Sequence, residues 1–429
     1  MARVIRQHWT SNASAPSRLQ QKPCDYEAYI PDTLVGRAIR LEGAVAADVA
    51  DAESALARFD MKASALVETE ALARILLRAE AIASSKIEGL EIGPRRLLRA
   101  EAARDFGERP SDITAAEVLG NIDAMAHVID SVHTGDEITH ELLLEIHRRM
   151  MVNSRLGAAA GHFRTTQNWI GGSDYNPCSA VFVPPPAEYV HDLITDLLKF
   201  ANQDSLPAVV QAGLVHSQFE SIHPFADGNG RAGRALIHLV LRRRGLSTRI
   251  VPPVSLILAT WTKDYVEGLT ATRYRGPADS RQAYEGMNLW IGRFAAACKR
   301  AVADAWSFEE RSERLQEAWR AKLGKVRRNS ALDLLLKALV GAPIVTVSSA
   351  AQRIGRSFVQ TNAAVIRLSE TGILRQISVG RRNRAFEASD VLAAFTDLER
   401  QLASPKGNTR ASKPARPVPY RPQRAARQA

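Results

Sequence analysis

The chain has 429 residues, of which 45% are hydrophobic and 24% are charged, and its formal net charge at pH 7 is +11. These values are ordinary for a soluble globular protein and leave room for two or three domains. No run of 18 apolar residues occurs and the first residues lack the apolar core of a signal peptide, so neither a membrane-spanning segment nor a secretion signal is indicated. We therefore expect a cytoplasmic protein without a membrane partner.

The cysteines agree with that compartment. Cys24, Cys178 and Cys298 are far apart, odd in number and without metal-ligand spacing, which suits a reducing cytosol. We interpret them as small buried hydrophobes, with one reactive thiol as the alternative.

The start of the chain predicts an irregular segment followed by two helices. Residues 1–35 contain three prolines, which interrupt regular structure. Residues 37–59 and 64–84 are rich in alanine and leucine at helical spacing.

The second helix runs into the segment Ser84-Ser85-Lys86-Ile87-Glu88-Gly89. Gly89 is a typical residue to end a helix, but a glutamate in the last turn has the wrong sign for the helix dipole. Glu88 therefore needs a partner, and a buried arginine would supply one. The alternative is a plain helix end.

The middle of the chain predicts two helices and then a long loop. The helices span residues 112–131, with Ser111 available as N-cap, and 138–152. Residues 161–172 and 180–186 combine β-branched and aromatic residues with glycines and prolines, which favours a short hairpin. Long apolar loops in compact domains are usually functional; the alternative is a surface hairpin without a binding role.

Two further helices, residues 187–202 and 207–222, lead to His223. His216 lies two turns earlier, and no His or carboxylate stands at metal-ligand spacing from it. We interpret His216 as a satisfied helix histidine rather than a metal ligand.

The most informative stretch is His223-Pro224-Phe225-Ala226-Asp227-Gly228-Asn229-Gly230-Arg231-Ala232-Gly233-Arg234. Gly228 and Gly230 can adopt positive φ and let a ligand approach the main chain, and Asn229 also tolerates left-handed geometry. Successive N–H groups in such a turn, at the start of a helix, cradle phosphate oxygens. The alternative is a helix–loop–helix turn in which the proline ends one helix and Asp227 or Asn229 caps the next.

Four charged or titratable side chains surround this turn. Arg231 and Arg234 are three residues apart, so both can reach the same end of the helix. Asp227 would be unfavourable in a bare anion site, but it suits a Mg²⁺ ion that also binds the phosphates. His223 is placed to take a proton from an attacking hydroxyl.

This stretch resembles the Fic family signature, His-Pro-Phe-x-Asp/Glu-Gly-Asn-Gly-Arg-x-x-Arg, and meets each of its fixed positions. The resemblance covers the chain from its start through the core helices that follow the signature. It implies an enzyme that transfers AMP from ATP, with Mg²⁺, to a Ser, Thr or Tyr hydroxyl of a protein target of unknown identity, which could be the protein itself.

The resemblance and the chemistry of the side chains give each residue an expected role. His223 would deprotonate the target hydroxyl for in-line attack on the α-phosphate, and Asp227 would hold Mg²⁺ between the α- and β-phosphates. The main-chain N–H groups of Gly228–Gly230, with the Asn229 side chain, would bind the α-phosphate. The two arginines would bind the α/β end and the γ-phosphate: Arg231 and Arg234, respectively.

A second segment matches a regulatory motif of Fic proteins. Ser84, Glu88 and Gly89 fit the family pattern Ser/Thr-x-x-x-Glu-Gly/Asn, which forms an inhibitory helix. The implied effect is that Glu88 pairs with Arg234 and blocks productive seating of the γ-phosphate, so basal turnover is low.

The loop of residues 161–186 resembles the family's flap, which binds an extended target segment through main-chain hydrogen bonds and brings the hydroxyl near His223. Tyr265 stands where related proteins place a residue against the adenine; the alternative is an aromatic that only packs. The candidate target-binding residues of the flap are Val181, Phe182 and Val183.

The C-terminal part of the chain changes pattern from residue 331. Three helices, residues 332–340, 347–354 and 358–371, precede a hairpin over 373–388, which is typical of a winged helix–turn–helix. Its polar and basic residues suit DNA phosphates, but winged helices also serve as protein-binding or dimerisation modules. The candidate contact residues are Gln360, Thr361, Asn362 and Arg367 on the recognition helix, and Arg381, Arg382 and Arg384 on the wing.

We therefore predict a mainly α-helical protein: a Fic-type helical core with a short β-hairpin flap, and a C-terminal winged helix–turn–helix domain. After residue 403, seven basic residues and no acidic residue occur, which favours a disordered basic tail. A homodimer is compatible with the resemblance. The predicted divisions are an N-terminal region with the inhibitory helix, a catalytic core, a connecting helix, the winged helix–turn–helix and the tail: residues 1–110, 111–302, 303–328, 329–400 and 401–429.

Two other functions stay open at this point. The first is the reverse reaction, removal of AMP from a protein, in which Glu88 would align a water molecule. The second is a DNA-binding regulator whose Fic core acts as a nucleotide sensor.

Overall fold

The computed structural model of the chain describes residues 1–10, 16–65, 69–105, 107, 112–154, 156–379 and 383–402. Four predictions fall on residues outside these ranges: the N-cap Ser111, the wing-tip residues Arg381 and Arg382, and the basic tail from residue 403. None of the helices in these ranges is long and apolar enough to cross a membrane.

The N-terminus forms an antiparallel β-hairpin, so the prediction of an irregular segment over residues 1–35 is wrong there. Strands β1 (Arg3–Trp9) and β2 (Cys24–Ile30) pair along their full length, and the short helix α1 (Arg18–Gln21) lies between them. The prolines at positions 16, 23 and 31 stand outside the strands, where they end the ladder without interrupting it.

A disulfide links this hairpin to the flap. Cys24 in β2 is bonded to Cys178, 154 residues later in the chain, with Cα atoms 5.8 Å apart. The interpretation of both as small buried hydrophobes is therefore wrong, because sequence spacing does not reveal which cysteines the fold brings together. These two cysteines no longer support the expected reducing cytosol. Cys298 is a buried free thiol, as predicted.

The main body is a helical core. The predicted helices are present, with ends displaced by up to six residues in α2 and five in α3, whereas α4, which starts with a proline at its first position, has no predicted counterpart. The bounds are α2 Gly43–Ala65, α3 Thr69–Ile87, α4 Pro94–Asp105, α5 Ile113–Ser131, α6 His140–Met151, α7 Ala187–Ala201, α8 Ala208–Ile222, α9 Asn229–Arg243, α10 Val254–Thr260, α11 Thr262–Ala271 and α12 Arg281–Leu323.

The sequence also favours single helices over residues 254–272 and 281–302, and both predictions are wrong in detail. The first segment divides into α10 and α11 at Trp261. The second continues through the predicted connecting helix of residues 303–328 as one helix, α12, of 43 residues. No proline interrupts this stretch, and the helix ends at Leu323 because Gly324 takes a positive φ of 68°.

Helices α8 and α9 lie at the centre of the core. Each has 15 residues, of which 14 are buried, and a helix buried on all sides has no solvent face. The loop that joins them, residues 223–228, therefore starts and ends at a buried helix.

The C-terminal unit (residues 324–402) has its own apolar core, which includes Leu335, Leu336 and Val365. The helices and the hairpin follow the predicted order, while β3 and α16 have no predicted counterpart. Its three-stranded sheet has the order β3-β5-β4. The elements are α13 Ala331–Gly341, β3 Ile344–Val345, α14 Val347–Ile354, α15 Phe358–Glu370, β4 Arg375–Val379, β5 Asn383–Glu387 and α16 Ser389–Leu402.

Candidate active site

His223 has an uncommon backbone conformation at the end of α8. Its φ of 50° and ψ of 60° are left-handed, which few non-glycine residues adopt. The flap segment stabilises this conformation, because Arg164 Nε and Asn168 Nδ2 donate to the His223 carbonyl at 2.9 and 3.1 Å. Neither Arg164 nor Asn168 is a predicted site residue, although both stand in the loop predicted to be functional.

The imidazole of His223 faces a buried carboxylate. Its Nδ1 lies 3.7 Å from Glu220 Oε2, and in the described structure neither this nitrogen nor Glu220 Oε1 has a hydrogen-bond partner. Burial lowers the pKa of His223 to about 4 and raises the pKa of Glu220 to about 7. His223 is therefore neutral near pH 7 and can accept a proton.

Glu220 is a site residue that the sequence analysis does not identify. It stands three residues before His223 on a helix that is otherwise apolar or weakly polar. A carboxylate at that spacing on a buried helix is the signal that could have found it, since i and i+3 share a helix face.

The loop between α8 and α9 is closed by its own side chains. The Asn229 side chain accepts from the Phe225 N–H and donates to the Phe225 carbonyl, both at 2.8 Å. Asp227 Oδ1 accepts from the Gly228 N–H at 2.6 Å. The side chain of Asn229 is thus engaged inside the loop, where it was expected to face a phosphate. The main-chain N–H groups at the start of α9 are the candidate phosphate donors.

Arg234 is buried on α9 and surrounded by partners. Its Nε donates to Ser84 Oγ at 2.9 Å, and its Nη2 donates to the Ser84 carbonyl at 2.7 Å and to Glu88 Oε1 at 2.8 Å. Burial opposes the charged form of Glu88, but the neighbouring guanidinium of Arg234 holds the pKa of Glu88 below its ordinary value. The predicted pairing of Glu88 with Arg234 is therefore present, and Gly89, with a φ of 80°, ends α3 beside it.

Glu88 also lies directly over the start of α9. A Cβ atom added at Gly230 would lie 1.9 Å from Glu88 Oε1, so only glycine at this position leaves room for the carboxylate. The N-terminus of a helix attracts anions. The protein's own carboxylate thus occupies the position where a phosphate group would bind.

Arg231 is as buried as Arg234 but has few partners. Its Nη2 contacts Met151 Sδ at 3.1 Å and its Nη1 lies 3.7 Å from Glu117 Oε2. Its Nε and Nη1 have no hydrogen-bond partner among the described residues. Buried donors of this kind usually find a partner, so Arg231 offers unsatisfied N–H groups beside the anion position.

The flap is less regular than predicted. Where the structure describes it, its two limbs meet in one isolated bridge, between Ile170 and Phe182. Gly171 and Gly172 turn the chain with φ of 73° and 78°, and the prolines at 184–186 cannot donate to a ladder. The predicted hairpin is therefore reduced to a single bridge.

The three predicted flap residues have different environments. Val181 is 85% exposed. Phe182 packs under the guanidinium of Arg273, 3.6 Å from the ring centroid. Val183 is buried, and its carbonyl accepts from the Tyr29 N–H of β2 at 2.9 Å. Only Val181 offers an open side chain to a partner, while Val183 joins the flap to the N-terminal hairpin.

Tyr265 is buried beside Arg234. Its hydroxyl is 3.5 Å from Arg234 Nη1 and 2.9 Å from His216 Nε2, and its ring stacks on His216. These contacts agree with the interpretation of His216 as a buried helix histidine rather than a metal ligand, but only its Nε2 is satisfied, since Nδ1 has no hydrogen-bond partner among the described residues. They place Tyr265 as a packing aromatic that supports Arg234, and the predicted contact with adenine stays a prediction.

Comparisons with known proteins agree with this geometry. Family models described as "Fic/DOC family" and "Fic/DOC family N-terminal" match residues 137–241 and 46–130. Protein adenylyltransferase fic-1 of Caenorhabditis elegans is 34% identical over 133 residues, 30% of this chain and 23% of that protein. Protein adenylyltransferase Fic of Nematostella vectensis is 31% identical over 191 residues, 44% of this chain and 39% of that protein. The chain therefore spans less than half the length of these relatives.

One solved structure extends the comparison to most of the chain. A Fic family protein from Desulfovibrio desulfuricans G20 matches with a TM-score of 0.50 and 21% identity, over 81% of this chain and 97% of the other. At that identity the match reports a shared fold and carries no residue roles.

Proposed function

This chain belongs to the Fic/DOC family, and from that premise we propose that it is a protein adenylyltransferase. It transfers AMP from ATP to a Ser, Thr or Tyr hydroxyl of a protein target. The observation that carries the proposal is the position of Glu88, whose carboxylate lies over Gly230 and accepts a hydrogen bond from Arg234. This carboxylate is itself an anion at the start of a helix beside two buried arginines. A nucleotide phosphate needs the same environment.

The proton transfer uses His223. The hydroxyl oxygen of the target forms a bond to the α-phosphorus of ATP, the bond from that phosphorus to the β-phosphate breaks, and pyrophosphate leaves. The hydroxyl proton passes to the imidazole, which burial keeps neutral by lowering the pKa of His223 to about 4. The hydrogen bonds from Arg164 and Asn168 to the His223 carbonyl fix the backbone that carries the imidazole.

Charge stabilisation uses the start of α9. The main-chain N–H groups of Asn229 and Gly230 bind the α-phosphate, since the Gly228 N–H is already bonded to Asp227, and the unsatisfied Nε and Nη1 of Arg231 bind the charge that moves toward the leaving pyrophosphate. Fixed donors aimed at such charge are the main source of catalysis in phosphoryl transfer.

Magnesium is the metal that this site fits. Across the described ranges no group of three or more His, Cys, Asp or Glu side chains stands ready to hold a metal. Mg²⁺, however, needs only one or two carboxylates when phosphate oxygens and water complete its shell. Asp227 is an exposed carboxylate beside the candidate phosphate donors and would hold the ion. When bound, Mg²⁺ supplies positive charge that neutralises the phosphates.

Glu88 keeps the basal rate low. Its carboxylate and a γ-phosphate compete for Arg234, and the buried bonds between Arg234 and Ser84 keep the guanidinium turned toward α3. Cytoplasmic location and a homodimer stay predictions.

The test is incorporation of label from ATP into protein, with Mg²⁺, using α-labelled and γ-labelled nucleotide in parallel. The proteins are wild type, Glu88→Gly and Glu88→Gly/His223→Ala. We expect label from the α position alone, a rise of about tenfold or more for Glu88→Gly, corresponding to ~1.4 kcal/mol or more, and loss of label in the double variant. Glu91→Gly is the matched control, since Glu91 is an exposed glutamate three residues further on.

The same experiment distinguishes AMP removal. If the protein removes AMP with Glu88 aligning a water molecule, Glu88→Gly should slow the release of AMP from a modified protein instead of raising transfer. Absence of α-label in every variant would contradict the proposed function.

A further inference from the structure

Positive charge is concentrated in the C-terminal unit. Residues 324–388 contain eleven basic and three acidic residues, which is +8 of the chain's net +11. Seven more basic residues follow residue 403, so the rest of the chain is net acidic. Two of the three acids are already paired, Asp333 with Arg320 at 2.8 Å and Glu387 with Arg95 at 2.7 Å. The uncompensated charge of this segment is therefore almost all positive.

A basic loop lies along α15. Arg367 Nη2 donates to the carbonyls of Leu323 and Lys325, at 3.0 and 3.4 Å. At the other end of the helix, Arg356 Nη2 donates to the Asn329 carbonyl at 3.2 Å. The loop of residues 324–330 thus runs from the C-terminal half of α15 to its N-terminus. The basic residues that it carries are Lys325, Arg327 and Arg328.

The basic side chains of this loop are exposed and unpaired. Lys325, Arg327, Arg328 and Arg356 are exposed, and none of them forms an ion pair with a residue in the described ranges. Elsewhere on the surface arginines commonly have a carboxylate partner, as Arg281 has in Glu285 at 2.7 Å. A row of unpaired cations beside one helix is the electrostatic footprint of a polyanion.

The outward face of α15 is uncharged at its start. Phe358 and Val359 are 56% and 77% exposed, and Gln360 and Ala363 are exposed as well. Three residues join α14 to α15, the spacing of a helix–turn–helix. In that motif the first residues of the second helix contact base edges, where apolar groups meet thymine methyls and glutamine pairs with adenine.

We propose that α15 and the loop of residues 324–330 bind double-stranded DNA, with α15 in the major groove and the loop on the phosphate backbone. This binding goes beyond the AMP transfer proposed above and does not depend on it. An apolar helix face alone would also fit a protein partner. The continuous row of unpaired cations beside it, with two of three acids neutralised, favours a ligand that is anionic along its whole length.

The first experiment measures the salt dependence of binding by the full-length chain. Fluorescence anisotropy follows binding to a random-sequence duplex of about 24 base pairs as salt rises from about 50 to 200 mM. Arg327→Ala/Arg328→Ala should weaken binding and reduce the slope of log K against log salt by about 1.8, since each phosphate contact adds about 0.9.

The control is Arg3→Ala/Arg6→Ala, which removes the same charge from exposed positions on β1 and should leave the slope unchanged. The basic residues after 403 are present in every protein and so cannot produce a difference between the two variants. Equal slopes for the two double variants would overturn the proposal.

The second experiment tests base contact. Selection from a library of random duplexes should enrich a sequence motif for the wild type. Val359→Ala/Gln360→Ala should weaken binding to that motif about tenfold or more, while binding to unrelated duplexes stays the same. Because both side chains are exposed, we expect the variant to fold. An unchanged midpoint of thermal unfolding checks this. Failure to enrich any motif would also overturn the proposal and would leave attraction by the tail, or a protein partner on α15, as the explanation.

Discussion

The two sides of the candidate active site are held together by different kinds of interaction. Toward α3, the contacts are buried hydrogen bonds and an ion pair, in which Arg234 binds Ser84 and Glu88. Toward the flap, hydrogen bonds run from Arg164 and Asn168 to the His223 carbonyl, and a disulfide between Cys24 and Cys178 links the flap covalently to the N-terminal hairpin. An incoming anion can exchange with a carboxylate on a guanidinium, but no ligand displaces a disulfide. The contacts of Arg234 with α3 can therefore be exchanged for a ligand, while the flap is fixed to the N-terminal hairpin.

The two arginines of α9 show the same contrast at the level of single side chains. Arg234 has its donors satisfied by the protein, whereas Arg231, one turn earlier, keeps an unsatisfied Nε and Nη1 among the described residues. A nucleotide would meet Arg231 with only the Glu117 carboxylate nearby, 3.7 Å from its Nη1, and would have to displace Glu88 from Arg234. Under the proposed function, this difference would lower the basal rate.

The largest expected effect comes from Arg234→Ala, which removes the side chain that binds both Ser84 and Glu88. Glu88, whose side chain is 35% exposed, then loses its partner, and Ser84 loses two hydrogen-bond donors. The free energy of unfolding should fall by about 3–5 kcal/mol, because a large buried side chain is removed and buried acceptors are left without donors. Urea unfolding at pH 7 measures this difference.

A double-mutant cycle checks the cause. Arg234→Ala/Glu88→Ala should be more stable than the sum of the two single losses predicts, by about 1–3 kcal/mol, because Glu88→Ala removes the stranded carboxylate. Strict additivity would mean that the ion pair does not stabilise this side of the site.

A smaller effect is expected on the flap side. Replacement of the disulfide in Cys24→Ser/Cys178→Ser should lower the free energy of unfolding by about 2–4 kcal/mol, because the unfolded chain is no longer cross-linked. A reductant should destabilise the wild type by a similar amount and leave the double variant unchanged. Thermal unfolding with and without reductant makes the comparison.

Counting thiols gives an independent check of the same link. In denaturant without reductant, an alkylating reagent should label Cys298 alone, and after reduction it should label all three cysteines. Labelling of all three before reduction would show that the flap is not covalently tied.

The parts of the site that are local in sequence could be predicted from it. The signature from His223 to Arg234 and the motif around Glu88 each fit within one turn or one helix end, so residue types and spacing were sufficient to assign them. The pairing of Glu88 with Arg234 came from the resemblance and not from spacing, since 146 residues separate the two.

The parts that depend on tertiary contacts could not be predicted. Arg164 and Asn168 act on the His223 carbonyl from a loop some 55 to 59 residues away, and no periodicity marks such a contact. The strands β1 and β2 carry prolines next to them, so local signals favoured irregular structure. Cys24 and Cys178 show the same limit, because their pairing depends on where β2 docks against the flap.

The smallest expected effect concerns the pH dependence of stability, which distinguishes His223 from its buried neighbour Glu220. Burial raises the pKa of Glu220 from 4.5 to about 7, so its contribution to stability is full below pH 4.5 and is lost as the pH rises through 7. Burial lowers the pKa of His223 from 6.5 to about 4, so its contribution is full above pH 6.5 and is lost as the pH falls through 4. Between pH 4.5 and 6.5 the two dependences oppose each other.

Single substitutions should therefore change the slope of the wild type in opposite directions. Burial also lowers the pKa of His147 to about 4 and that of His216 to about 3, and this background is common to all three proteins. As the pH is lowered from about 6.5 to about 5, Glu220→Gln should lose about 1–2 kcal/mol more stability than the wild type, and His223→Gln should lose about 1–2 kcal/mol less. Urea unfolding at both pH values measures the slopes, with the wild type between the two variants. Parallel curves for the two variants would contradict a neutral His223 beside a protonated Glu220, and with it the availability of the imidazole as a base.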